Sequence, residues 1–582
     1  MLSIFRASLL LGALCTAASG QTIYPLDKAQ ILTGANFDLK VEFAGAPAAT
    51  DLKVTVNGED AAKVLGRAPY ITADEDGLGH TAYWIRGARL TTDGKYVIEA
   101  TDGHGQARVE WAAFGTPDGR LAKNVILLIG DGMSMAHRTA ARMLSKGISQ
   151  GTYGGELAMD DMPHMALVST SGTESIVTDS ANAMTAYTTG HKSCVNALGV
   201  HCALNRSTLG HPNIETIAEL AKRRLGMAVG VVTDTEVEDA TPAGMVAHTR
   251  RRIDYDDIVR MFYWLQPEVI MGGGTPNFLP TTDARGKRKD GENYISKFQK
   301  AGYAFVDTAT QLAAAAAKPE TRKLLGLFND KNIDGALDRK FLKKGTVDKF
   351  PDQPDLTDET RAALQVLSRG DKGFVLMVEA GRIDKFSHSL DWERAVYDTI
   401  MFDNVVKIAK DFADKRNDTL IIVVPDHAHP VSIIGTYDDS KGEQLRDRLQ
   451  TYSAAQFPNY PAPDAEGYPA KVDVSRRLAM VFAAYPDYCD PGKPYMEGEN
   501  QPTAAPPSAQ EGEKQPAVAN EEYCKPGAAR KIGNLPFTAR NGVHAADDVV
   551  LTASGPGSEV FRGRVDNTFV FRAMARALGL GK

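Results

Sequence analysis

Four continuous apolar runs constrain the fold of this 582-residue chain more than any other feature. They span residues 124–129, 227–232, 374–378 and 419–424, and each is followed by polar residues and then by a helical or loop-like stretch. An unbroken apolar run of this length is typical of a strand that is buried on both faces of a parallel sheet. The alternation of such strands with helices predicts an α/β domain with a doubly wound central sheet and helices on both faces.

Three of these predicted strands end on acidic or imidazole side chains. Asp131 follows the first strand, Glu379 the third, and Asp426 with His427 the fourth. In open α/β sheets ligand sites lie at the carboxyl ends of the strands, so we expect these side chains to converge in one crevice. Any one of these residues alone could have a purely structural role, because Asp in such a loop often caps a helix. Only their joint occurrence favours a metal site.

A second pair of candidate ligands lies just beyond Glu379. Asp384 and His388 are spaced i, i+4 at the start of a helix that we expect to run on through Trp392 and Ile400. This spacing puts both side chains on one face of the helix. Imidazole with carboxylate suits zinc, whereas carboxylates with a hydroxyl suit magnesium.

The segment of residues 176–190 contains a candidate nucleophile. Thr178, Asp179 and Ser180 precede a run of small residues that ends at Gly190, which suits the C-terminal cap of a helix. Ser180 would then lie at a helix N-terminus, where free N–H groups and the helix dipole stabilise a phosphate beside its hydroxyl. The alternative is that Asp179 or Ser180 merely caps the helix.

The chain ahead of these motifs has a different pattern. From residue 36 to about residue 115 apolar and polar residues alternate, and the turn pairs Asn57-Gly58, Asp93-Gly94 and Asp102-Gly103 separate short strands. This predicts a small antiparallel, immunoglobulin-like β-sandwich over residues 21–118, ended by a linker at residues 116–119. It carries no evident catalytic cluster, so we expect a spacer or a binding module.

The first residues predict export. One positive charge precedes a short apolar run at residues 7–18, a pattern typical of a secretory signal peptide, which we assign to residues 1–20. The run is too short for a transmembrane helix, which needs roughly 20 apolar residues, and no later run reaches that length. We therefore expect a periplasmic or extracellular protein without a transmembrane segment. The formal net charge of −7 argues against a general nucleic-acid binder, and no nucleic-acid surface is evident.

Cys194, Cys202, Cys489 and Cys524 remain once Cys15 leaves with the leader. An exported protein favours disulfides, and four cysteines allow three pairings. Bridges between sequence neighbours are the simplest choice, although the sequence does not fix the connectivity.

The predicted catalytic domain, residues 119–582, contains a long insertion at about residues 438–542. The insertion has a strand-like run at residues 478–484 and a tract rich in Pro, Ala, Glu and Gln at residues 491–520, for which we expect a surface loop. Near the C-terminus, residues 568–571 look strand-like and residues 573–578 look helical.

From about residue 124 to its C-terminus the chain resembles the alkaline phosphatases. Six motifs occur in the order that this family has, and the ordered set is far more specific than any one of them. They are Gly130-Asp131-Gly132, Asp179-Ser180-Ala181, Asp239-Ala240-Thr241-Pro242-Ala243 with Arg252 downstream, the segment from Glu379 to His388, Asp426-His427, and His544. The resemblance covers neither the sandwich ahead of Leu121 nor the insertion.

The resemblance implies a role for each matching residue. Ser180 would be the nucleophile that is transiently phosphorylated, and Arg252 would hold the phosphate oxygens with its planar guanidinium. One zinc ion would be bound by Asp384, His388 and His544, a second by Asp131, Asp426 and His427, and one magnesium ion by Asp131, Glu379 and Thr241. Asp239 and Lys385 match the version common among bacterial members and would tune the magnesium shell and the phosphate through water. Family members are commonly dimers, so the resemblance also implies a homodimer.

The function implied is hydrolysis of phosphate monoesters through a phosphoserine intermediate. The nearest alternative is a phosphodiesterase or phosphonate hydrolase on the same scaffold, although related diesterases usually carry Thr as the nucleophile. A sulfatase would need a Cys/Ser-x-Pro-x-Arg motif, which is absent around Ser180. A further alternative is an exported adhesion or binding protein with an inactive phosphatase-like domain, which the presence of every expected ligand disfavours.

Overall fold

The computed structural model describes residues 20–75, 77, 79–483, 488–490, 503–504, 518–519, 521, 524, 528–531 and 542–581. Apart from residue 20, the assigned leader lies outside the described residues, and so does most of the tract at residues 491–520. None of the helices in the described part of the chain is both long and apolar enough to span a membrane.

A ten-stranded sheet forms the centre of the larger part of the molecule. In sheet order its strands are Ala304–Val306, Leu324–Leu327, Val269–Gly273, Ala228–Glu236, Phe374–Ala380, Asn124–Gly130, Thr419–Val424, Val549–Ser554, His164–Ser169 and Arg564–Asp566. Within the described residues, Val549–Ser554 runs opposite to its two neighbours and the other neighbouring pairs are parallel. All four apolar runs of the sequence lie in this sheet, as predicted.

These strands are apolar throughout because both faces of the sheet are covered. Successive residues of Asn124–Gly130 alternate between two cores: Val125 and Leu127 pack into one, and Ile126 and Leu128 into the other. On the first face lie the helices Ser180–Thr189, Ile217–Leu225, Ala240–Ala243, Tyr255–Leu265, Tyr294–Lys300 and Thr568–Leu578. On the second face lie the helices Met135–Lys146, Ala309–Ala317, Leu356–Leu367, Arg382–His388 and Trp392–Asp414. The doubly wound α/β fold is therefore confirmed.

The register of the central strands brings the candidate ligands to one edge. Ile129 lies beside Glu379 on one side and beside Val424 on the other. Since the three strands are parallel and in step, Asp131, Glu379 and Asp426 all emerge at the same carboxyl end.

Two sheets form the N-terminal part, consistent with the predicted immunoglobulin-like sandwich. Among the described residues their neighbouring strands are antiparallel, except that Gln30–Leu32 runs parallel to Gln106–Phe114. One contains, in order, Gln21–Tyr24, Phe37–Phe43, Thr81–Ala88 and Tyr70–Thr72. The other contains Gln30–Leu32, Gln106–Phe114, Gly94–Thr101, Lys53–Val56 and Glu59–Asp60, and a short helix spans Ala61–Leu65. The apolar faces of the two sheets share one core, in which Trp111 meets Phe37 edge to face. The predicted boundary at residues 116–119 falls just after the last of these strands.

A three-stranded antiparallel sheet lies where the predicted insertion begins, and its middle strand ends at residue 438. Its strands are Leu449–Gln450, Val431–Asp438 and Arg476–Phe482, and the last of them covers most of the strand predicted at residues 478–484. This region also contains the helix Leu445–Arg448 and two strand pairs, Tyr488–Asp490 with Ala529–Lys531 and Thr503–Ala504 with Val518–Ala519. A further short strand pair, Ile148–Ser149 with Thr152–Tyr153, lies outside it.

Two predictions of secondary structure are wrong. The helix carrying Asp384 does not run on through Trp392: it ends at His388, Leu390 has a φ of 60°, and Asp391 caps a new helix by accepting a hydrogen bond from Arg394 N. Residues 568–571 are not a strand but the start of the helix Thr568–Leu578. Their β-branched and aromatic side chains favour a strand locally, but burial of Val570, Phe571, Met574 and Leu578 along one helical face outweighs that preference.

The disulfides join sequence neighbours. Cys194 is bonded to Cys202 and Cys489 to Cys524, which is the simplest of the three pairings.

Candidate functional site

Ser180 is the first residue of the helix Ser180–Thr189, and Asp179 is its N-terminal cap. The Asp179 carboxylate accepts a hydrogen bond from Asn182 N, and the Asn182 side chain accepts one from Asp179 N, so the two close a capping box. Because Asp179 performs the capping, the hydroxyl of Ser180 is left for another partner. Its Oγ lies 3.4 Å from Nε2 of His427, and Ser180 is only 2% exposed.

A cluster of histidines surrounds Asp384. Its Oδ1 lies 2.6 Å from Nε2 of His429, 3.3 Å from Nε2 of His388 and 3.5 Å from Nε2 of His544. The four residues can offer one ligand atom each within a sphere small enough for a single metal ion. The helix Arg382–His388 supplies Asp384 and His388, whereas His429 and His544 come from loops far away in the sequence.

The orientation of two of these rings suits a cation. Nδ1 of His388 lies 2.5 Å from the carbonyl oxygen of Gly542, and Nδ1 of His544 lies 2.8 Å from that of Thr178. A carbonyl oxygen only accepts, so each Nδ1 carries a proton, and in its neutral form each ring turns the lone pair of Nε2 inward. The two Nε2 atoms are 3.1 Å apart. Two facing lone pairs repel each other, and a metal ion between them removes the conflict.

A second cluster contains Asp131, Asp426 and His427. Nε2 of His427 lies 3.3 Å from Oδ1 of Asp131 and 3.4 Å from Oδ2 of Asp426. Neither of these two buried oxygens accepts a hydrogen bond within the described part of the chain. Buried carboxylate oxygens in that state favour a bound cation. Asp131 and His427 can also share a single metal ion with Asp384, whose Oδ1 is 4.0 Å from Nε2 of His427.

Thr241 and Glu379 lie on the other side of Asp131. Thr241 donates a hydrogen bond of 3.4 Å from Oγ1 to Oδ2 of Asp131. Oε2 of Glu379 accepts hydrogen bonds from Thr233 and Thr235, the latter over 3.1 Å. A hydroxyl beside two carboxylates is a donor set of hard oxygens, which suits magnesium.

The charges of this crevice do not balance without cations. Burial, together with Asp426 and Asp384, raises the pKa of Asp131 to about 7, and burial with Asp131 raises the pKa of Glu379 to about 8. Burial also raises the pKa of Asp426. Full ionisation of such a group is costly unless positive charge is added, so the residues present fit divalent metal ions.

Arg252 and Lys385 share one acidic partner. Arg252 donates from Nη2 to Oδ1 of Asp239 over 2.7 Å and from Nη1 to Oδ2 of Asp179 over 3.2 Å, while Lys385 donates to Oδ2 of Asp239 over 2.8 Å. Although burial opposes ionisation of Asp239, Lys385 and Arg252 hold its pKa well below the usual range. The guanidinium is therefore bonded to the residue that directly precedes the candidate nucleophile Ser180.

The two neighbouring arginines have other partners. Arg250 donates to the carbonyl oxygen of Val195, and Arg251 pairs with Asp254. Of the three consecutive arginines, Arg252 is the one that contacts Asp179 and Asp239.

A comparison with protein families assigns the chain to one of them. A family model described as alkaline phosphatase matches residues 122–580. The chain belongs to the alkaline phosphatase family. It is therefore a phosphatase that hydrolyses phosphate monoesters, and the metal-ligand clusters fit the metal ions that such enzymes use.

Individual alkaline phosphatases are similar over most of their own length. The Escherichia coli K12 enzyme is 34% identical over 371 residues, which cover 57% of this chain and 75% of that protein. Alkaline phosphatase 3 of Bacillus subtilis is 30% identical over 477 residues, which cover 78% of this chain and 89% of that protein. The crystal structure of the Thermus thermophilus alkaline phosphatase superposes with a TM-score of 0.57 at 26% identity, covering 80% of this chain and 93% of that one.

Sequence reasoning about this phosphatase missed His429 and underrated Asp179. His429 follows His427 by two residues, and this spacing marks it as a candidate metal ligand. The local sequence does not show, however, that its ring turns towards Asp384. The sequence places Asp179 in the nucleophile motif and offers it a capping role, but it does not predict that its carboxylate also binds Arg252. Each of the predicted site residues lies in or directly beside this crevice.

Proposed function

We propose that this phosphatase works through a phosphoserine intermediate on Ser180, with two zinc ions and one magnesium ion beside it. The observation that carries the proposal is the 3.4 Å contact between Ser180 Oγ and His427 Nε2 at the start of a helix. The hydroxyl has a metal-ligand imidazole on one side and helical N–H groups on the other, which is what a phosphate-accepting nucleophile needs.

The donor sets support the choice of metals. Asp384, His388 and His544 would bind one zinc ion, and Asp131, Asp426 and His427 would bind the other. Both sets combine imidazole with carboxylate, as zinc prefers. Asp131, Thr241 and Glu379 offer oxygens alone and would bind magnesium. His429 would orient Asp384 through their 2.6 Å contact.

The side chains of this chain then have distinct tasks. Ser180 attacks the phosphorus and releases the alcohol, and water later releases phosphate from Ser180. When bound, the cations would neutralise phosphate charge, lower the pKa of the attacking hydroxyl and stabilise the leaving oxygen. Asp179 and Asp239 occupy two of the five N–H donors that a guanidinium carries, so Arg252 is held in place with donors left for phosphate oxygens. Lys385, fixed by Asp239, adds positive charge nearby.

We also propose the domain limits and the compartment. Residues 1–20 form a leader, residues 21–118 the sandwich and residues 119–582 the catalytic domain with the insertion at about 438–542, and the protein is exported to the periplasm or the medium. The two disulfides support export, because such bonds persist in oxidising compartments.

The substrate class is tested by comparing p-nitrophenyl phosphate with bis-p-nitrophenyl phosphate on the metal-loaded enzyme. A large preference for the monoester is expected, and Ser180→Ala should abolish hydrolysis of both. A diester preference would replace the monoesterase assignment by that of a phosphodiesterase.

A further inference from the structure

The loop closed by the Cys194–Cys202 disulfide contacts both the helix that begins at Ser180 and the segment that carries Arg252. The two cysteines lie eight positions apart in the sequence, and their Cα atoms are 6.2 Å apart. Both belong to a small apolar cluster with Ala197 and Val200 inside the loop. The bond therefore closes the loop on a packed interior rather than joining two distant elements.

One side of this loop is bonded to the helix that begins at Ser180. Thr185 Oγ1 donates to the carbonyl oxygen of Ala197 over 3.0 Å and accepts a hydrogen bond from Gly199 N over the same distance. Asn182 Nδ2 reaches the carbonyl oxygen of Ser193. The loop is thus bonded to the nucleophile helix at its middle and just before its first cysteine.

The other side of the loop is bonded to the segment that carries Arg252. Leu198 and Thr249 exchange two main-chain hydrogen bonds of 2.8 and 2.9 Å. Asn196 accepts a hydrogen bond of 2.9 Å from Arg252 N through its carbonyl oxygen. Asn196 N in turn donates to Oδ1 of Asp179 over 3.2 Å.

Asn196 is therefore a single residue whose main chain touches both the cap of the nucleophile helix and the arginine. It holds a left-handed backbone with a φ of 68°, a conformation that Asn tolerates but that costs most other residues free energy. The disulfide lies two residues away at Cys194, where it restricts the freedom of this turn.

We propose that the Cys194–Cys202 disulfide is a positioning device for Arg252, so that its reduction weakens phosphate binding. The inference rests on the proposed role of Arg252 in holding phosphate. Reduction by a dithiol breaks the S–S bond, places one proton and one electron on each sulfur, and leaves the reductant as its own disulfide. The freed loop no longer fixes Asn196, and the guanidinium loses the main-chain anchor that aims it at the phosphate.

The second disulfide provides a matched control. If both disulfides only stabilise the fold, removing Cys489–Cys524 should lower Tm more than removing Cys194–Cys202. The first closes a span of 35 positions and the second a span of eight. A positioning role predicts the reverse for phosphate binding.

The test compares the metal-loaded C194A/C202A and C489A/C524A variants with the parent enzyme. The readouts are the inhibition constant of inorganic phosphate, KM and kcat for p-nitrophenyl phosphate, and Tm. For C194A/C202A we expect the phosphate inhibition constant and KM to rise about tenfold, because a small misplacement of a positioned group costs up to roughly 10²-fold. For C489A/C524A we expect a lower Tm with an unchanged phosphate inhibition constant. An unchanged constant in C194A/C202A overturns the proposal.

A double-mutant cycle with R252K separates this proposal from the role of Arg252 itself. If the disulfide acts through Arg252, its removal adds little to the effect of R252K, whereas additive effects overturn the inference. R252K that leaves the phosphate inhibition constant unchanged would instead overturn the role of Arg252, and the inference with it. Should C194A/C202A fail to fold, reversible reduction of folded C489A/C524A gives the same readout: weaker phosphate inhibition when reduced and recovery on reoxidation are expected, and no change overturns the proposal.

Discussion

Arg252 donates a hydrogen bond of 2.7 Å from Nη2 to Oδ1 of Asp239, and this bond ties the candidate phosphate-holding residue to the metal crevice. The other carboxylate oxygen of Asp239 binds Lys385, which adjoins Asp384 in the sequence. A series of ion pairs with alternating charge therefore runs from the nucleophile helix to the first histidine cluster, through Asp179, Arg252, Asp239 and Lys385. Each charge in it is held by its neighbours, so the positive groups are fixed before a phosphate arrives.

Arg252→Ala should raise KM for p-nitrophenyl phosphate and the inhibition constant of phosphate by roughly 10- to 100-fold, because a hydrogen bond to a charged group contributes about 1.5–3 kcal/mol. Steady-state kinetics and phosphate inhibition measure both. Arg251→Ala is the matched control, since Arg251 is exposed and pairs with Asp254. Equal effects of the two substitutions would contradict the assignment of Arg252.

Removal of metal by a chelator should reduce activity by several orders of magnitude and lower Tm. The stability effect follows from the buried carboxylates of Asp131, Asp426 and Glu379, whose raised pKa values report mutual repulsion and burial. Calorimetry before chelation, after it and after return of zinc and magnesium measures the effect. A Tm that does not change on chelation would mean that the crevice does not hold the ions.

Glu379→Gln should abolish the response to magnesium while zinc-dependent activity remains measurable. Glu379 supplies an oxygen to the all-oxygen set with Thr241 and Asp131, and the amide lacks the charge that magnesium requires. Metal-free enzyme is titrated first with zinc and then with magnesium, and the exposed Glu320→Gln serves as the control. Full activity of the parent enzyme with zinc alone would rule out the magnesium assignment.

The stability of the protein should fall at alkaline pH through the pair of His248 and Glu219. Burial disfavours the charge of His248, but the Glu219 carboxylate at 3.0 Å and a hydrogen bond to Gly199 outweigh burial and raise its pKa from 6.5 to about 9. Because the pKa of His248 is raised in the folded state, the pair contributes its full amount to the free energy of unfolding below pH 6.5. That contribution is lost as the pH rises through about 9.

Denaturant unfolding from pH 6 to pH 10 measures this loss. At pH 6 the free energy of unfolding of the parent enzyme should exceed that of His248→Gln by about 2–3 kcal/mol. This difference should disappear as the pH rises to 10. The exposed His104→Gln is the control and should follow the parent enzyme at every pH. A constant difference between the parent enzyme and His248→Gln would refute the ion pair.

Much of this site could be predicted because its residues are tied to regular features of the sequence. Asp131, Glu379 and Asp426 follow apolar runs, and the parallel register of those runs forces the three together. Ser180 lies between a capping Asp and a run of small residues that ends at Gly190, whose left-handed backbone closes the helix as expected. In these cases local pattern and tertiary structure agree.

One of the parts that could not be predicted is a local break between two helices, and the others depend on contacts between distant segments. The break at Leu390 follows from capping by Asp391, and the helical state of Thr568–Leu578 follows from packing against the nucleophile helix, which no local propensity reports. His429 was missed because its contact with Asp384 joins two loops whose relative position only the sheet determines.

The most direct test of the role of Ser180 is to trap the covalent intermediate. Metal-loaded enzyme is mixed with excess p-nitrophenyl phosphate, quenched in acid, digested and mapped by mass spectrometry, with Ser180→Ala treated in parallel. We expect one phosphate on Ser180 in the parent enzyme and none in Ser180→Ala. That variant should lose activity without loss of Tm, since Asp179 rather than Ser180 caps the helix. Phosphate on another residue, or turnover by Ser180→Ala near the parent rate, would contradict this role of Ser180.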